Sequence, residues 1–191
     1  LGPVYTLISF THDAFGALVF IAVITSLIRR YILKIKRLEV GKAGKLDAAF
    51  ILIMILFVVI TMFGQNVSHY IINGYKFSND EFRPLSATLG NMFFTNVSAE
   101  SAKISFEIFW WAHIIIIFGF MNFLPYSKHF HVITSIPNVY FGKTGERKYA
   151  LSKLNLEEET DIFGVADIDH FSWKHLLDGF ACTECGRCTD A

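Results

Sequence analysis

The chain has 191 residues, of which 53% are hydrophobic and only 18% charged, and its mean hydropathy is +0.43. A soluble domain carries about 25% charged residues, so this depletion is typical of a membrane protein. Lysine and arginine together number 17, as do aspartate and glutamate, and a net charge of zero offers no basic excess for binding nucleic acid.

Three apolar stretches are long enough to cross a bilayer, which takes about 20 residues of helix. We place these helices at about residues 4–28, 46–69 and 104–131. A long helix in a soluble core is the alternative for each one, but three such stretches in so short a chain favour membrane spans. The sequence therefore predicts an all-α membrane protein with a transmembrane helix bundle over residues 1–131.

The basic residues are distributed unevenly between the connections. The connection after the first span is strongly basic, whereas residues 70–103 hold only Lys76, Arg83 and Lys103. Positive charge favours the cytoplasmic side, so we expect the basic connection and the C-terminal part to be cytoplasmic. The basic residues of that connection are Arg29, Arg30, Lys34, Lys36, Arg37, Lys42 and Lys45.

The remaining segments are more polar. Residues 85–94 are compatible with a short helix at the membrane interface. Residues 132–169 turn polar and carry an acidic run, which we interpret as a cytoplasmic linker. We expect a short helix over residues 171–180 at the start of the last segment, 170–191.

Two histidines of the third stretch are candidate haem ligands. A histidine inside a span is costly and is by default a functional-site hypothesis, which applies to His113. His131 follows 18 residues later. If the helix continues through Pro125, the two lie on one face and about 27 Å apart, as two stacked haems require. A histidine in a solvated cavity is the alternative for His113, and an interfacial histidine is the alternative for His131.

Haem held by two histidines needs partners from another helix. His12 starts the first span and His69 ends the second, so both are secondary candidates for a haem or quinone site at the depth of His113. No histidine matches the depth of His131, which predicts a further helix upstream. Quinone protonation has three candidates: Asp13, His69 and Glu107.

The three cysteines form one short motif. Cys182, Cys185 and Cys188 are spaced C-x2-C-x2-C, which matches the first three ligands of a bacterial 4Fe–4S motif. Structural thiols or a zinc site completed by histidine are the alternatives, but zinc knuckles pair two separate C-x2-C units. The fourth ligand would fall at position 192, so we expect the sequence to be a fragment.

These motifs, in this order, resemble a known family over essentially the whole chain. Residues 111–141, with Pro-Tyr-Ser-Lys and the histidine spacing, resemble the last span of the cytochrome b (gamma) subunit of respiratory nitrate reductase. The junction from Phe171 to Cys188 resembles membrane-bound iron–sulfur oxidoreductases related to heterodisulfide reductase, among them electron-transfer-flavoprotein:menaquinone oxidoreductases.

The resemblance implies the last three helices of a cytochrome b bundle, followed by the start of a ferredoxin-like cytoplasmic domain. It implies haem b on His113 and His131 and a 4Fe–4S cluster on the three cysteines. The implied function is electron transfer in the bacterial inner membrane between a soluble partner, such as an electron-transferring flavoprotein, and menaquinone. Alternatives are a haem-free membrane anchor for an iron–sulfur protein, the membrane subunit of a sulfur, heterodisulfide or nitrate-type reductase, and a transporter with His113 on a proton path.

Overall fold

The computed structural model describes residues 2–36, 42–142, 165 and 167–183. The chain forms two compact units, Leu1–Phe123 and Leu124–Ala191. All regular structure in the described residues is helical, as the sequence predicts. Cys185 and Cys188, the acidic run and most of the expected linker lie outside the described residues.

The first unit contains four α-helices. Helix α1 is Gly2–Leu27 and continues as a π-helical turn, Ile28–Ile32. The others are α2, Lys42–Ile72, the short α3, Pro84–Phe93, and α4, Ala99–Phe123. Proline at the start of α3 suits a position where no backbone N–H is needed. Helix α3 confirms the short helix predicted over residues 85–94.

Three helices are long and apolar enough to cross a membrane, which agrees with the sequence prediction. They are Gly2–Ile32, Gly44–Ile72 and Ala99–Tyr126. Large apolar side chains remain exposed on them, including Leu18 at 59% and Phe118 at 63%. Such extensive exposed apolar surface is suited to lipid rather than water.

Helix α2 is central and packs against α1, α3 and α4. Val67 and Ile71 of α2 form a small buried cluster with Ala102 of α4. Close approach of these two helices also depends on Gly64, because a Cβ there would come within 2.6 Å of the Phe109 ring. Small residues permit such contacts between membrane helices.

The third span differs from the prediction of a helix over residues 104–131. The α-helix begins at Ala99 and ends at Phe123, followed by a 3-10 turn at Leu124–Tyr126. Ser127 is extended, with φ −115° and ψ 164°. Pro125 offers no N–H to continue the helical ladder, and an extended residue breaks it. The argument that His113 and His131 share one continuous helix face is therefore wrong.

The second unit contains two short helices. After a 3-10 turn at Lys128–Phe130, α5 is His131–Tyr140, and a further 3-10 turn, Ile168–His170, precedes α6, Trp173–Phe180. Helix α6 confirms the helix predicted over residues 171–180. Helix α5 occupies residues that we assigned to a linker beginning at 132. The sequence of α5 is strongly amphipathic, and the helix packs against α6. The polar residues of the segment after 132 hid this amphipathic pattern from the sequence analysis.

We expect Gly64→Ala to destabilise the first unit by about 1–3 kcal/mol, because the added methyl overpacks against the Phe109 ring. Thermal unfolding of the purified protein in detergent measures the effect. Gly119→Ala on α4 is the matched control, since a Cβ at Gly119 meets no atom within 4 Å. Equal losses in both variants would contradict the close approach of α2 and α4.

Candidate functional site

The Asp13 carboxylate of α1 lies at the N-terminus of α3. Its Oδ2 accepts hydrogen bonds from the backbone N–H groups of Leu85 (2.7 Å) and Ser86 (3.3 Å), and its Oδ1 accepts one from the Ser86 hydroxyl (2.5 Å). The residue at the N-cap of α3, Arg83, makes no side-chain capping bond. Free N–H groups at a helix start attract negative charge. Asp13, which is fully buried, therefore caps α3 from another helix.

The connection between α2 and α3, residues 73–83, is bound along the start of α1. The Tyr5 hydroxyl donates to Glu81 Oε1 (2.8 Å), and the backbone N–H of Phe82 donates to the Ser9 hydroxyl oxygen (3.0 Å). Ser9 is 1% exposed, and its own proton goes to a backbone carbonyl within α1. These bonds bring the polar residues of the connection to the histidine-bearing ends of α1 and α2.

His113 of α4 is hydrogen-bonded to α2. Its Nδ1 lies 2.8 Å from the hydroxyl oxygen of Thr61. The Thr61 hydroxyl also has two backbone carbonyls within reach, those of Phe57 (2.8 Å) and Val58 (3.0 Å). Carbonyls only accept, so the threonine proton goes to them and His113 donates its Nδ1–H to the hydroxyl oxygen. The lone pair of a neutral His113 is then on Nε2.

His12 has the opposite arrangement. Arg83 donates from NH1 to His12 Nδ1 (3.4 Å) and to the Asn66 side-chain oxygen (2.9 Å). A guanidinium has no acceptor, so a neutral His12 has its proton on Nε2.

His69 is occupied by a different set of neighbours. The Asn73 amide nitrogen lies 3.1 Å from Nε2, while Nδ1 points to Glu81 Oε2 at 3.8 Å. With Asn73 as donor, the lone pair of His69 is used and its Nδ1–H faces the carboxylate. A polar pocket of about 490 Å³ next to these groups is also lined by Tyr5 and Lys76. Of the other protonation candidates, Asp13 is buried by its capping bonds and Glu107 is exposed.

His131, the first residue of α5, resembles His113 in its hydrogen bonding. Its Nδ1 lies 2.6 Å from the backbone carbonyl of Lys128. Because that carbonyl only accepts, His131 donates Nδ1–H and has its lone pair on Nε2. The 3-10 turn that breaks the helix before His131 supplies this carbonyl, so the irregular segment orients the ring.

Helices α5 and α6 pack together in the second unit. The Thr134 hydroxyl donates to the backbone carbonyl of Phe180 (2.9 Å) at the end of α6. Near the start of α6, Lys174 donates to the side chains of Asn138 (2.6 Å) and Asp178 (2.5 Å). The hydrogen bond from Lys174 lowers the pKa of the Asp178 carboxyl. These contacts pair the end of one helix with the start of the other.

This pairing brings the first cysteine to the end of α5 that carries His131. Cys182 follows Phe180 by two residues, and His131 precedes Thr134 by one helical turn. The Phe130 and Phe180 rings also meet edge to face at this end, with centroids 5.9 Å apart. Cys182 is exposed. Within the described residues no three metal-binding side chains converge, and the other two cysteines lie outside them.

An apolar cavity of about 400 Å³ lies between α1, α2 and α3. It extends along α1 from Ala17 to Ile21, starting one turn beyond the Asp13 cap, and α3 lines it with Leu85 and Leu89. Its walls are almost entirely apolar. A hydrocarbon chain is the kind of ligand that such a cavity binds.

Sequence reasoning missed Thr61, Arg83 and Thr134. Each acts through a partner far away in sequence, and a threonine in a helix or an arginine in a connection is common. A threonine inside an apolar span, as at Thr61, is a weak signal that a hydroxyl serves some polar partner.

The described residues form a helical module with three helices apolar enough to span a membrane, and His113 and His131 each have an oxygen within hydrogen-bond distance of Nδ1. The chain is 35% identical over 192 residues to a Bacillus subtilis protein named as a probable iron–sulfur-binding oxidoreductase, FadF. It is 28% identical over 195 residues to the EtfAB:quinone oxidoreductase of Syntrophomonas wolfei. The alignments cover 100% and 99% of this chain.

The chain spans about a quarter of the length of these curated relatives, 26% and 27% respectively. No family model matches it, and no solved structure matches it. Both relatives are named as oxidoreductases. The similarity therefore supports an iron–sulfur oxidoreductase family with a link to quinone.

We expect Asp13→Ala to destabilise the first unit by about 2–4 kcal/mol, because it leaves two N–H groups and a hydroxyl without an acceptor in a buried site. Denaturation in detergent followed by circular dichroism measures the loss. Asp80→Ala is the matched control, since the Asp80 side chain is exposed. A loss in Asp13→Ala no larger than in the control would contradict the capping role.

We expect Thr134→Val to loosen the end of α6, because it removes the hydroxyl that binds the Phe180 carbonyl while preserving side-chain shape. Hydrogen exchange at the amides of Ala181 and Cys182, whose N–H groups close the last turn of α6, should become faster. Ser135→Ala is the control, because the half-buried Ser135 donates its hydroxyl proton to the Val132 carbonyl within α5. Unchanged exchange in Thr134→Val would show that this bond does not secure α6.

Proposed function

We propose that this chain is the membrane-spanning part of an enzyme that transfers electrons between a soluble cytoplasmic partner and quinone. Three observations support it: the cysteine motif, the three apolar helices, and relatives named for iron–sulfur binding and for EtfAB and quinone. A 4Fe–4S cluster on Cys182, Cys185 and Cys188 and haem b on His113 and His131 supply the electron-carrying centres.

The observation that carries this proposal is the pairing of α5 with α6. The hydrogen bond from Thr134 to Phe180 brings the start of the cysteine motif to the end of α5 that bears His131. Electron transfer between redox centres requires that the centres lie close together. The packing of α5 against α6 fixes the position of Cys182 relative to His131. The cysteine motif and His131 would then belong to one electron-transfer unit.

The hydrogen bonds of the histidines fit haem ligation. An imidazole coordinates iron through a nitrogen lone pair, and its other N–H typically binds an oxygen that orients the ring. His113 and His131 both meet these two requirements through Thr61 and the Lys128 carbonyl. His12 and His69 do not, since donors occupy the nitrogens that would have to coordinate.

His12 fits a quinone site better than a haem site. With Arg83 at its Nδ1, His12 presents an Nε2–H group, the kind of donor that a quinone carbonyl accepts. The apolar cavity beginning at Ala17, five residues further along α1, is suited to part of an isoprenoid tail. The basic connection at residues 29–45 favours a cytoplasmic location for the opposite ends of α1 and α2.

Spectroscopy of the full-length protein purified from membranes tests this function. We expect a reduced haem b band and the electron paramagnetic resonance signal of a reduced 4Fe–4S cluster. His113→Leu and His131→Leu should each lower the haem content, because each removes an iron ligand. Well-folded protein without haem would overturn the proposal in favour of a membrane anchor.

His12→Gln is the matched control, because glutamine retains an acceptor for Arg83 and lacks the imidazole. We expect its haem content to equal that of the wild type and its quinone reduction to be slower. Loss of haem in His12→Gln would identify His12 as a haem ligand. That result would contradict the proposal that only His113 and His131, of the four candidate histidines, bind haem.

A further inference from the structure

The Thr61 hydroxyl of α2 lies 2.8 Å from Nδ1 of His113, and the backbone carbonyl of Val58 also accepts a hydrogen bond from this ring. We propose that Thr61 is a positioning residue that sets the orientation and the electron-donating strength of His113 toward a bound haem iron. This inference rests on the proposed function, since it concerns the same haem site.

The argument begins with the one hydroxyl proton of Thr61. Helix geometry directs it to the carbonyls of Phe57 and Val58, one turn earlier on α2. The oxygen lone pair then faces His113 Nδ1 at 2.8 Å, and only a protonated Nδ1 makes a favourable contact there. The hydroxyl thus favours the tautomer with its lone pair on Nε2, as the Val58 carbonyl also does.

The surroundings make this bond strong. Thr61 is 5% exposed and lies on the central helix, so water does not compete for the hydroxyl. The bond joins two spans, α2 and α4, and limits rotation of the ring about its side-chain bonds. A hydrogen bond at Nδ1–H also increases the basicity of Nε2, which stabilises oxidised iron more than reduced iron. Thr61 should therefore hold the haem at a lower reduction potential.

Another threonine of the first unit provides the comparison. The Thr25 hydroxyl donates to the Ile21 carbonyl (2.7 Å) with the same one-turn geometry. Thr25 is exposed on α1, and its hydroxyl bonds within α1 and not to a histidine of the described residues. Replacing either threonine by valine removes the same local bond within a helix, and only the change at Thr61 affects a histidine.

The test uses Thr61→Val, Thr61→Ser and Thr25→Val in the full-length protein purified from membranes. Potentiometric titration of the haem band gives the reduction potential, and titration of the apoprotein with haem gives its affinity. In Thr61→Val we expect a higher potential for one haem and about a 10-fold weaker haem affinity. Thr61→Ser retains the hydroxyl and should restore both, and Thr25→Val should match the wild type.

A wild-type potential and affinity in Thr61→Val would overturn the inference, as would equal shifts in Thr61→Val and Thr61→Ser. If Thr61→Val yields too little folded protein, Thr61→Ala removes the same hydroxyl with a smaller side chain and is judged by the same values. Absence of haem from the wild-type protein would instead refute the proposed function, so the two failures are distinguishable.

Discussion

The buried carboxylate of Asp13 is the contact on which the first unit depends. Asp13 belongs to α1, and its carboxylate accepts hydrogen bonds from the N-terminal N–H groups of α3. Arg83, the residue at the N-cap of α3, makes no such bond with its side chain. Because α3 is fixed there, its Leu85 and Leu89 line the apolar cavity. Arg83, which immediately precedes α3, is brought within reach of His12 and Asn66. A structural cap thereby determines which nitrogen of a candidate functional histidine carries the proton.

Hydrogen-bond partners, rather than positions along the helices, separate the candidate ligands. In an apolar medium each polar group needs a partner, so the neighbours of an imidazole decide its tautomer. Oxygen acceptors at Nδ1 of His113 and His131 leave the lone pair of each neutral ring on Nε2, the nitrogen that we propose as the iron ligand. Donors at His12 and His69 take up lone pairs instead. Four histidines of similar appearance in sequence are therefore suited to two different tasks.

Length and hydropathy sufficed to predict the three spans, and local patterns sufficed for α3 and α6. The break before His131 was missed, because membrane helices often tolerate proline and the extended Ser127 leaves no sequence signal. The roles of Thr61 and Thr134 were also out of reach, since both bind partners more than 40 residues away. The cluster itself remains a prediction from cysteine spacing, as two of its ligands lie outside the described residues.

The central claim is that electrons from a soluble partner enter through the cysteine motif and reach the membrane haem. Anaerobic mixing of the full-length protein with reduced electron-transferring flavoprotein, followed at the haem b band, tests it most directly. We predict that the band appears in the wild type and not in Cys182→Ser, while quinol still reduces the haem in that variant. Haem reduction by the flavoprotein at the wild-type rate in Cys182→Ser would contradict the account.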